Sequence, residues 1–145
     1  MSGKTFVDTN ILIYAYDIDS GRKNEIANAK LRELWEERAG ILSVQVLQEF
    51  YVNVTRKIPR PLTKHRARAI IDNYGAWCTE TGVSEIFAAF RIEDETKIGF
   101  WDALIIASAA KGGAERILSE DLNAGQRVAG VLVENPFSIH TSKTT

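Results

Sequence analysis

The chain has 145 residues, of which 45% are hydrophobic and 26% are charged, and this suits one globular domain with a single core. The formal net charge of −1 excludes overall basicity as a signal for nucleic-acid binding, so such binding would need a local basic patch. The single cysteine, Cys78, excludes an intrachain disulfide and indicates a reducing compartment. We expect a cytoplasmic protein, because the N-terminus lacks a signal-peptide pattern and no apolar run approaches membrane-spanning length.

A short buried strand that runs into a carboxylate begins the chain. Residues 6–7 are apolar and favour a strand, the polar triplet 8–10 follows, and apolar residues resume at 11–14 in a turn or helix start. In open α/β sheets, the chemistry takes place beyond the carboxyl ends of the strands. Asp8 is therefore a candidate for chemistry, although Asp8 or Asn10 can equally cap the helix that follows.

Helical and extended segments alternate along the rest of the chain and indicate an α/β protein. Apolar residues at helical spacing predict helices over residues 22–38, 44–56, 64–77 and 84–97, with a more uniformly apolar helix over 102–110. Short β-favouring runs predict strands at residues 41–44, 76–79, 115–119 and 128–134.

Single residues predict where these elements begin and end. We expect Ser20 to cap the helix at 22–38 and Gly40 to end that helix. Thr63 is expected to cap the helix at 64–77. The whole chain, residues 1–145, is expected to form one domain with a flexible polar tail from about residue 138, which includes His140.

The apolar faces of two helices predict which of their side chains fill the core. Spacing at i, i+3, i+4 and i+7 defines one face of a helix, and the residues on it are expected to be buried together. The predicted core residues are Leu47, Phe50, Tyr51 and Val54 in the helix at 44–56, and Ile86, Phe87 and Phe90 in the helix at 84–97.

Two further acids stand close to predicted strand ends or helix starts. Glu49 lies off the apolar face of its helix; alone it reads as a solvated glutamate, but its position soon after a strand directs it towards the edge where Asp8 lies. Asp102 stands at the start of an apolar helix. It is either an N-cap that contributes about 1 kcal/mol, or a ligand, because a charge beside so apolar a segment needs a partner.

A second strand that ends in acids repeats the arrangement at Asp8. The strand at residues 115–119 runs into Ser119, Glu120 and Asp121. Turn chemistry explains one such arrangement more readily than two. The sequence does not decide which of the two adjacent acids faces a site.

A basic stretch lies between two of the predicted helices. Residues 56–68 contain six Lys or Arg side chains and no acid. Such a run is often only a solvated face, whereas the functional interpretation is a patch for phosphate groups. The candidates for contact with an RNA backbone are Arg56, Lys57, Arg60 and Lys64.

The four acids can converge on one edge of a parallel sheet. Carboxylates crowded there repel and raise one another's pKa values, and a divalent cation removes the conflict. All-oxygen ligands suit Mg²⁺ or Mn²⁺, and the chemistry that such a site serves is phosphodiester hydrolysis by metal-activated water. The candidate metal-binding and catalytic residues are Asp8, Glu49, Asp102 and Asp121.

Around these four acids the chain resembles PIN-domain proteins, specifically the VapC-type ribonuclease toxins of toxin–antitoxin pairs. The matching stretches are residues 6–10, 47–51, 101–105 and 118–122. The resemblance implies a three-layer α/β/α fold with a central parallel sheet, Mg²⁺- or Mn²⁺-dependent endoribonuclease activity, a homodimer and inhibition by a cognate antitoxin. By position it implies that the same four acids form the active site, with Asp121 rather than Glu120 as the last. It also implies that Asn10 and Ser119 support them by hydrogen bonding.

Two rival functions remain open on the sequence. One is a non-catalytic PIN-like module that binds RNA or protein, which the presence of all four acids disfavours. The other is an aspartyl-phosphate phosphatase with Asp8 as nucleophile. Enzymes of that class have a D-x-D pattern, whereas Asn10 occupies the position of the second acid here.

Overall fold

The structure, a computed structural model, describes residues 3–138, so the predicted tail from 139 onwards, with His140, lies outside the described residues. The strands are β1 (Lys4–Val7), β2 (Gly40–Ser43), β3 (Cys78–Thr79), β4 (Ala114–Leu118), β5 (Arg127–Val128) and β6 (Val131–Glu134). The helices are α1 (Thr9–Tyr16), α2 (Arg22–Glu37), α3 (Val44–Arg56), α4 (Lys64–Tyr74), α5 (Val83–Glu95) and α6 (Phe100–Lys111), and a 3₁₀ turn at Gly75–Trp77 follows α4. Within the described range, no helix combines the length and apolarity that crossing a lipid bilayer requires.

The sheet has six strands in the order β3-β2-β1-β4-β6-β5, and helices cover it. All neighbouring strands pair in parallel except β5, which pairs antiparallel with β6 at one edge. Phe6 and Val7 of β1 are fully buried, as expected for a strand in the middle of a sheet covered on both faces. The predicted three-layer α/β/α fold with a mainly parallel sheet is confirmed.

Strand register brings the ends of β1 and β4 side by side. Val7 is paired with Leu118, so both strands leave the sheet at the same level. The backbone N–H of Asp8 donates to the carbonyl of Leu118 at 3.0 Å, and that of Ser119 donates to the carbonyl of Glu134 at 2.9 Å. The residues that follow β1 and β4 are therefore neighbours in space although they are far apart in sequence.

The predicted ends of α2 are wrong in two details. The Ser20 hydroxyl donates to the carbonyls of Asp17 and Tyr14 at the end of α1, so it does not cap α2. At the other end, Arg38 takes the left-handed conformation with φ 55°, and its N–H bonds back to the last turn. Because Arg38 ends the helix, Gly40 is free to begin β2. Thr63 caps α4 as predicted, since its hydroxyl accepts from the N–H of Arg66.

The predicted core face of α5 is wrong. Ile86, Phe87 and Phe90 are 36%, 56% and 43% exposed, whereas Ala89 and Ile92 are buried. The buried residues of α5 are thus small or aliphatic, apart from Glu85, which pairs with Lys111 of α6 at 3.7 Å. The aromatic stripe of α5 therefore points outwards and continues onto Trp101 of α6, which is 66% exposed. In α3 the face is turned slightly: Val46, Phe50 and Val54 are buried, while Leu47 and Tyr51 are half-buried.

The predicted last strand at 128–134 is divided into a hairpin. Ala129 and Gly130 both have positive φ angles, 51° and 81°, which is the conformation of a two-residue hairpin turn. β5 consequently turns back on β6, and its pairing makes the only antiparallel contact described in the sheet.

We predict that Gly40→Ala destabilises the protein, because Gly40 lies against the ring of Trp77. A Cβ atom at position 40 would stand 2.3 Å from that ring. The ring is held by Trp35 and Tyr74, with centroid distances of 4.7 and 5.0 Å. Relieving the clash should lower the free energy of unfolding by about 1–3 kcal/mol, measured by urea denaturation.

Gly75→Ala is the matched control for this prediction. Gly75 has helical dihedral angles and no atom within 4 Å of an added Cβ. Its replacement should leave stability unchanged or raise it by about 0.4–1 kcal/mol. Equal urea midpoints for both variants would contradict the close packing of Trp77 on Gly40.

Candidate metal and active site

Asp8 is the N-cap of α1, which is one of the two roles that the sequence left open, and its side chain also bonds to the loop after β4. One carboxylate oxygen, Oδ1, accepts from the N–H of Thr9 at 2.7 Å and caps α1. The other, Oδ2, accepts from the Ser119 hydroxyl at 2.7 Å and lies 3.5 Å from the Asn10 amide. The residue is only 6% exposed.

Burial raises the pKa of Asp8 to about 6. The hydrogen bonds from Ser119 and Thr9 act in the opposite direction and favour the charged form. The charges of Asp121 and Asp102 add to the effect of burial and raise the pKa further. Asp8 is thus a buried carboxylate that is held in place by donors and repelled by its acidic neighbours.

Asn10 and Ser119 connect the residues after β1 with those after β4. The Asn10 amide donates to Oδ2 of Asp121 at 3.0 Å, and its carbonyl oxygen accepts from the N–H of Glu120 at 3.2 Å. The Ser119 hydroxyl, which donates to Asp8, also accepts from the N–H of Asp121 at 3.1 Å. These bonds bring Asp121 to the side of the chain on which Asp8 lies.

The carboxylate of Glu120 points away from that side. It accepts from the Tyr14 hydroxyl at 2.6 Å and forms an ion pair with Lys23. Of the two adjacent acids, Asp121 therefore faces Asp8, and Glu120 contacts side chains of α1 and α2. The sequence left this choice open because neighbouring residues in a loop have no fixed orientation.

Glu49 reaches the same cleft from α3. Its oxygen Oε1 accepts from the Thr9 hydroxyl at 2.6 Å, and Oε2 accepts from the Gln45 amide at 3.2 Å. The cleft is open, and Thr9, Asn10, Glu49, Lys57 and Asp121 are among the residues that line it. Thr9 and Gln45 did not emerge as site residues from the sequence. Their signals there were the polar triplet after β1 and the i, i+4 spacing of Gln45 from Glu49.

Asp102 is not the N-cap of its helix. α6 begins at Phe100 with Gly99 as the capping residue, so Asp102 is the third helical residue. Its pKa is raised, first by partial burial and then by the charges of Asp121 and Glu49. Asp102 is thus electrostatically coupled to the other acids across the cleft.

The donor set of this cleft fits a hard divalent cation in its chemistry. Carboxylates and neutral polar side chains line it together with Lys57, and the repulsion between the carboxylates is what such an ion would relieve. Within residues 3–138, however, no three acidic, His or Cys side chains stand close enough to hold a metal ion together. A bound ion would therefore have to draw the carboxylates of Asp8, Asp102 and Asp121 inwards. Glu49 could offer such an ion an oxygen while it still accepts from Thr9 and Gln45, because each carboxylate oxygen has a second lone pair.

The basic candidates have different surroundings. Lys57 lines the acidic cleft and is exposed. Arg60 forms an ion pair with Asp19 at 3.3 Å, so part of its charge is neutralised. Arg56 and Lys64 are exposed at the end of α3 and the start of α4. The structure thus brings one of the four, Lys57, into the cleft.

The raised pKa of Asp8 predicts a pH-dependent effect of Asp8→Asn on stability. A carboxyl group with a higher pKa in the folded chain favours folding below its unfolded pKa, and this contribution is lost as the pH rises through the folded value. For Asp8 that window runs from the ordinary value of 3.8 to about 6. In EDTA at pH 7.5, Asp8→Asn should be more stable than the wild type by roughly 1–3 kcal/mol.

Urea denaturation at several pH values measures this difference. The advantage of Asp8→Asn should shrink towards zero as the pH falls to 4, because the wild-type carboxyl then becomes neutral. A difference that stays constant between pH 4 and 7.5 would contradict the raised pKa.

Comparison with known proteins matches the chain to one sequence family and to several solved structures. The sequence profile described as "PIN domain" matches residues 5–130. No curated protein has a significantly similar sequence.

The solved structures are similar at low sequence identity. A toxin–antitoxin complex from Klebsiella pneumoniae contains a chain that is 21% identical, with a TM-score of 0.65 over 94% of this chain and 100% of that one. VapBC2 from Rickettsia felis, bound to promoter DNA, contains one that is 19% identical, with a TM-score of 0.62 over 90% and 97%. VapC20 from Mycobacterium tuberculosis, a toxin that cleaves the sarcin–ricin loop, is 20% identical, with a TM-score of 0.57 over 81% and 90%.

These structures agree with the fold described above, and the sequence profile extends from the first strand to the hairpin between β5 and β6. It covers most of the chain, including Asp8, Glu49, Asp102 and Asp121. The chain therefore belongs to the PIN domain family.

Proposed function

We propose that this protein is a Mg²⁺- or Mn²⁺-dependent endoribonuclease that acts in the cytoplasm as the toxin of a toxin–antitoxin pair. The observation that carries the proposal is the buried carboxylate of Asp8, whose pKa is raised by burial and by two further acids across one open cleft. Structural similarity to toxin–antitoxin complexes supports the same assignment.

The four acids divide into two pairs with different roles in this proposal. Asp8 and Asp102 would hold the principal ion, and Asp121 and Glu49 would complete its shell or hold a second ion. When bound, the metal lowers the pKa of a water molecule and stabilises charge on the leaving oxygen. If a bound metal supplies that water, none of these side chains would have to act as nucleophile.

The polar residues around the acids orient them. Ser119 and Thr9 fix the two oxygens of Asp8, and Asn10 holds Asp121. Lys57 lines the cleft, and it would contact a phosphate of the RNA backbone. Arg56, Arg60 and Lys64 would steer the RNA at longer range, Arg60 less effectively because Asp19 already pairs with it.

A cognate antitoxin is the expected protein partner. An apolar groove between α3 and α4 adjoins the acidic cleft, since Gln48 and Val52 line both. Tyr51 and Ile71 are among the residues that line this groove. The guanidinium carbon of Arg68 lies 5.9 Å from the centroid of the Tyr51 ring. A segment with apolar side chains and acidic flanks would fit this groove and, from there, reach over the cleft.

A homodimer is also proposed, and the exposed stripe of α5 and α6 supports it. Val83, Phe87, Phe90 and Trp101 are all more than 40% exposed. The rings of Phe90 and Phe100 are 5.8 Å apart and those of Phe100 and Trp101 are 5.1 Å apart, so the aromatic surface is continuous. Exposed apolar patches of this kind commonly mark an interface between proteins.

The rival function is a non-catalytic PIN module that binds RNA or protein. The observation in its favour is that, in residues 3–138, the acids do not stand close enough to hold a metal as they are. The phosphatase alternative is disfavoured, because the Asn10 amide is bonded to Asp121 and carries no acidic proton for a leaving group.

We predict that Asp8→Asn and Asp102→Asn each lower Mn²⁺-dependent RNA cleavage by at least about 100-fold, because each removes a charged ligand of the proposed principal ion. Cleavage of a labelled RNA pool, with Mn²⁺ and with EDTA, measures the effect. Asp94→Asn, an exposed acid in the last turn of α5, is the matched control and should cleave as the wild type does. Cleavage that persists in EDTA would refute the proposed metal dependence. Wild-type protein that cleaves no RNA with Mn²⁺ would refute the proposed nuclease activity.

We predict that the double substitution Phe87→Ser and Phe90→Ser converts a dimer into a monomer, because it removes the centre of the aromatic stripe. Sedimentation velocity at micromolar concentration measures the species. Ile18→Ser is the control, since Ile18 is 64% exposed but lies in the turn between α1 and α2. A dimer that survives the double substitution would show that the interface lies elsewhere.

A further inference from the structure

We propose that Glu120, held by Tyr14 and Lys23, is a positioning residue that keeps Asp121 directed into the acidic cleft. The three residues are called the Glu120 clamp below. The inference rests on the proposed function, because it assigns the clamp a role in metal binding by the neighbouring acid. It also accounts for two side chains, Tyr14 and Lys23, that the acidic site itself does not use.

The Glu120 clamp joins α1, α2 and the loop after β4. Tyr14 of α1 donates its hydroxyl to one oxygen of Glu120 at 2.6 Å, and Lys23 of α2 pairs with the other. The ammonium group of Lys23 also lies over the ring of Tyr14, at 4.9 Å from its centroid. Phe137, beyond β6, packs edge-on against Tyr14 at 5.3 Å. Both oxygens of Glu120 are thus engaged, and the donors are themselves held.

The clamp is charged rather than neutral. Burial acts to raise the pKa of Glu120, but hydrogen bonds from Lys23 and Tyr14 outweigh it and lower the value. The same hydrogen bond to Glu120 raises the pKa of Lys23. Both side chains are partly exposed, at 41% for Lys23 and 25% for Glu120, so the ion pair contributes little to overall stability. Its larger effect is on the geometry of the loop that carries it.

The clamp and the cleft share one helix and one loop. Asn10 and Tyr14 are four residues apart on α1, so they lie on the same side of that helix. Asn10 bonds to the N–H of Glu120 and to the carboxylate of Asp121, while Tyr14 bonds to the carboxylate of Glu120. α1 therefore contacts the loop after β4 through two side chains, and the carboxylates of Glu120 and Asp121 in that loop point in opposite directions.

Asp121 needs such a restraint because few other contacts fix its carboxylate. Asp121 itself is exposed, and in the described chain its carboxylate has the single hydrogen bond from Asn10. Releasing Glu120 would remove the anchor next to it and let the loop move away from the cleft.

The test is the affinity for Mn²⁺, measured by calorimetry on the full chain at pH 7.5. Tyr14→Phe and Glu120→Ala should each weaken binding about tenfold, as is typical when a residue that orients a metal ligand is lost. Glu120→Gln keeps an oxygen for one donor and should lie between these variants and the wild type. Asp19→Asn removes a comparable exposed ion pair, with Arg60, and should not change the affinity.

The outcomes separate the clamp from the proposed function. If Asp121→Asn weakens Mn²⁺ binding but Tyr14→Phe and Glu120→Ala bind within twofold of the wild type, the clamp is overturned and the metal site stands. If the wild type binds no Mn²⁺, both are overturned. Urea denaturation of each variant provides a second reading: a merely structural role would lower stability while leaving the Mn²⁺ affinity unchanged, and would also overturn the proposal.

Discussion

Repulsion between carboxylates gathered at one edge of the sheet is the constraint on which the rest of this structure depends. Asp8 is buried at the end of the central strand, and Asp121, Asp102 and Glu49 approach it from the ends or starts of other elements. Burial and like charge both raise the pKa of Asp8, to about 6. Such an arrangement lowers the stability of the folded chain at neutral pH, and arrangements of this kind are typical of functional sites.

The surrounding polar residues act as a scaffold for this unfavourable group. Ser119 and Thr9 each hold one oxygen of Asp8, and Asn10 holds Asp121. The scaffold is built from the two loops that leave β1 and β4, which the parallel register places side by side. Topology therefore supplies the proximity, and local hydrogen bonds supply the orientation. Asp102 and Asp121 are exposed to solvent, whereas Asp8 is buried.

The sequence predicted the order of strands and helices, but it failed at the ends of α2 and where packing between elements decides. Asp8 and Asp121 were recognisable because each lies just after an apolar strand. The exposure of Phe87 and Phe90 was not, because the helical pattern of α5 shows an apolar stripe without showing which side meets α6. The orientation of Glu120 depends on Tyr14 and Lys23, which are about 100 residues away in sequence, so no local pattern contains it.

We propose that these acids bind one or two divalent cations between them. Diffraction from crystals grown with Mn²⁺, collected for its anomalous signal, tests this most directly. We expect an anomalous peak between Asp8 and Asp102, with Asp121 moved towards it. Crystals saturated with Mn²⁺ that show no peak among these carboxylates, or a peak only elsewhere on the protein, would contradict it.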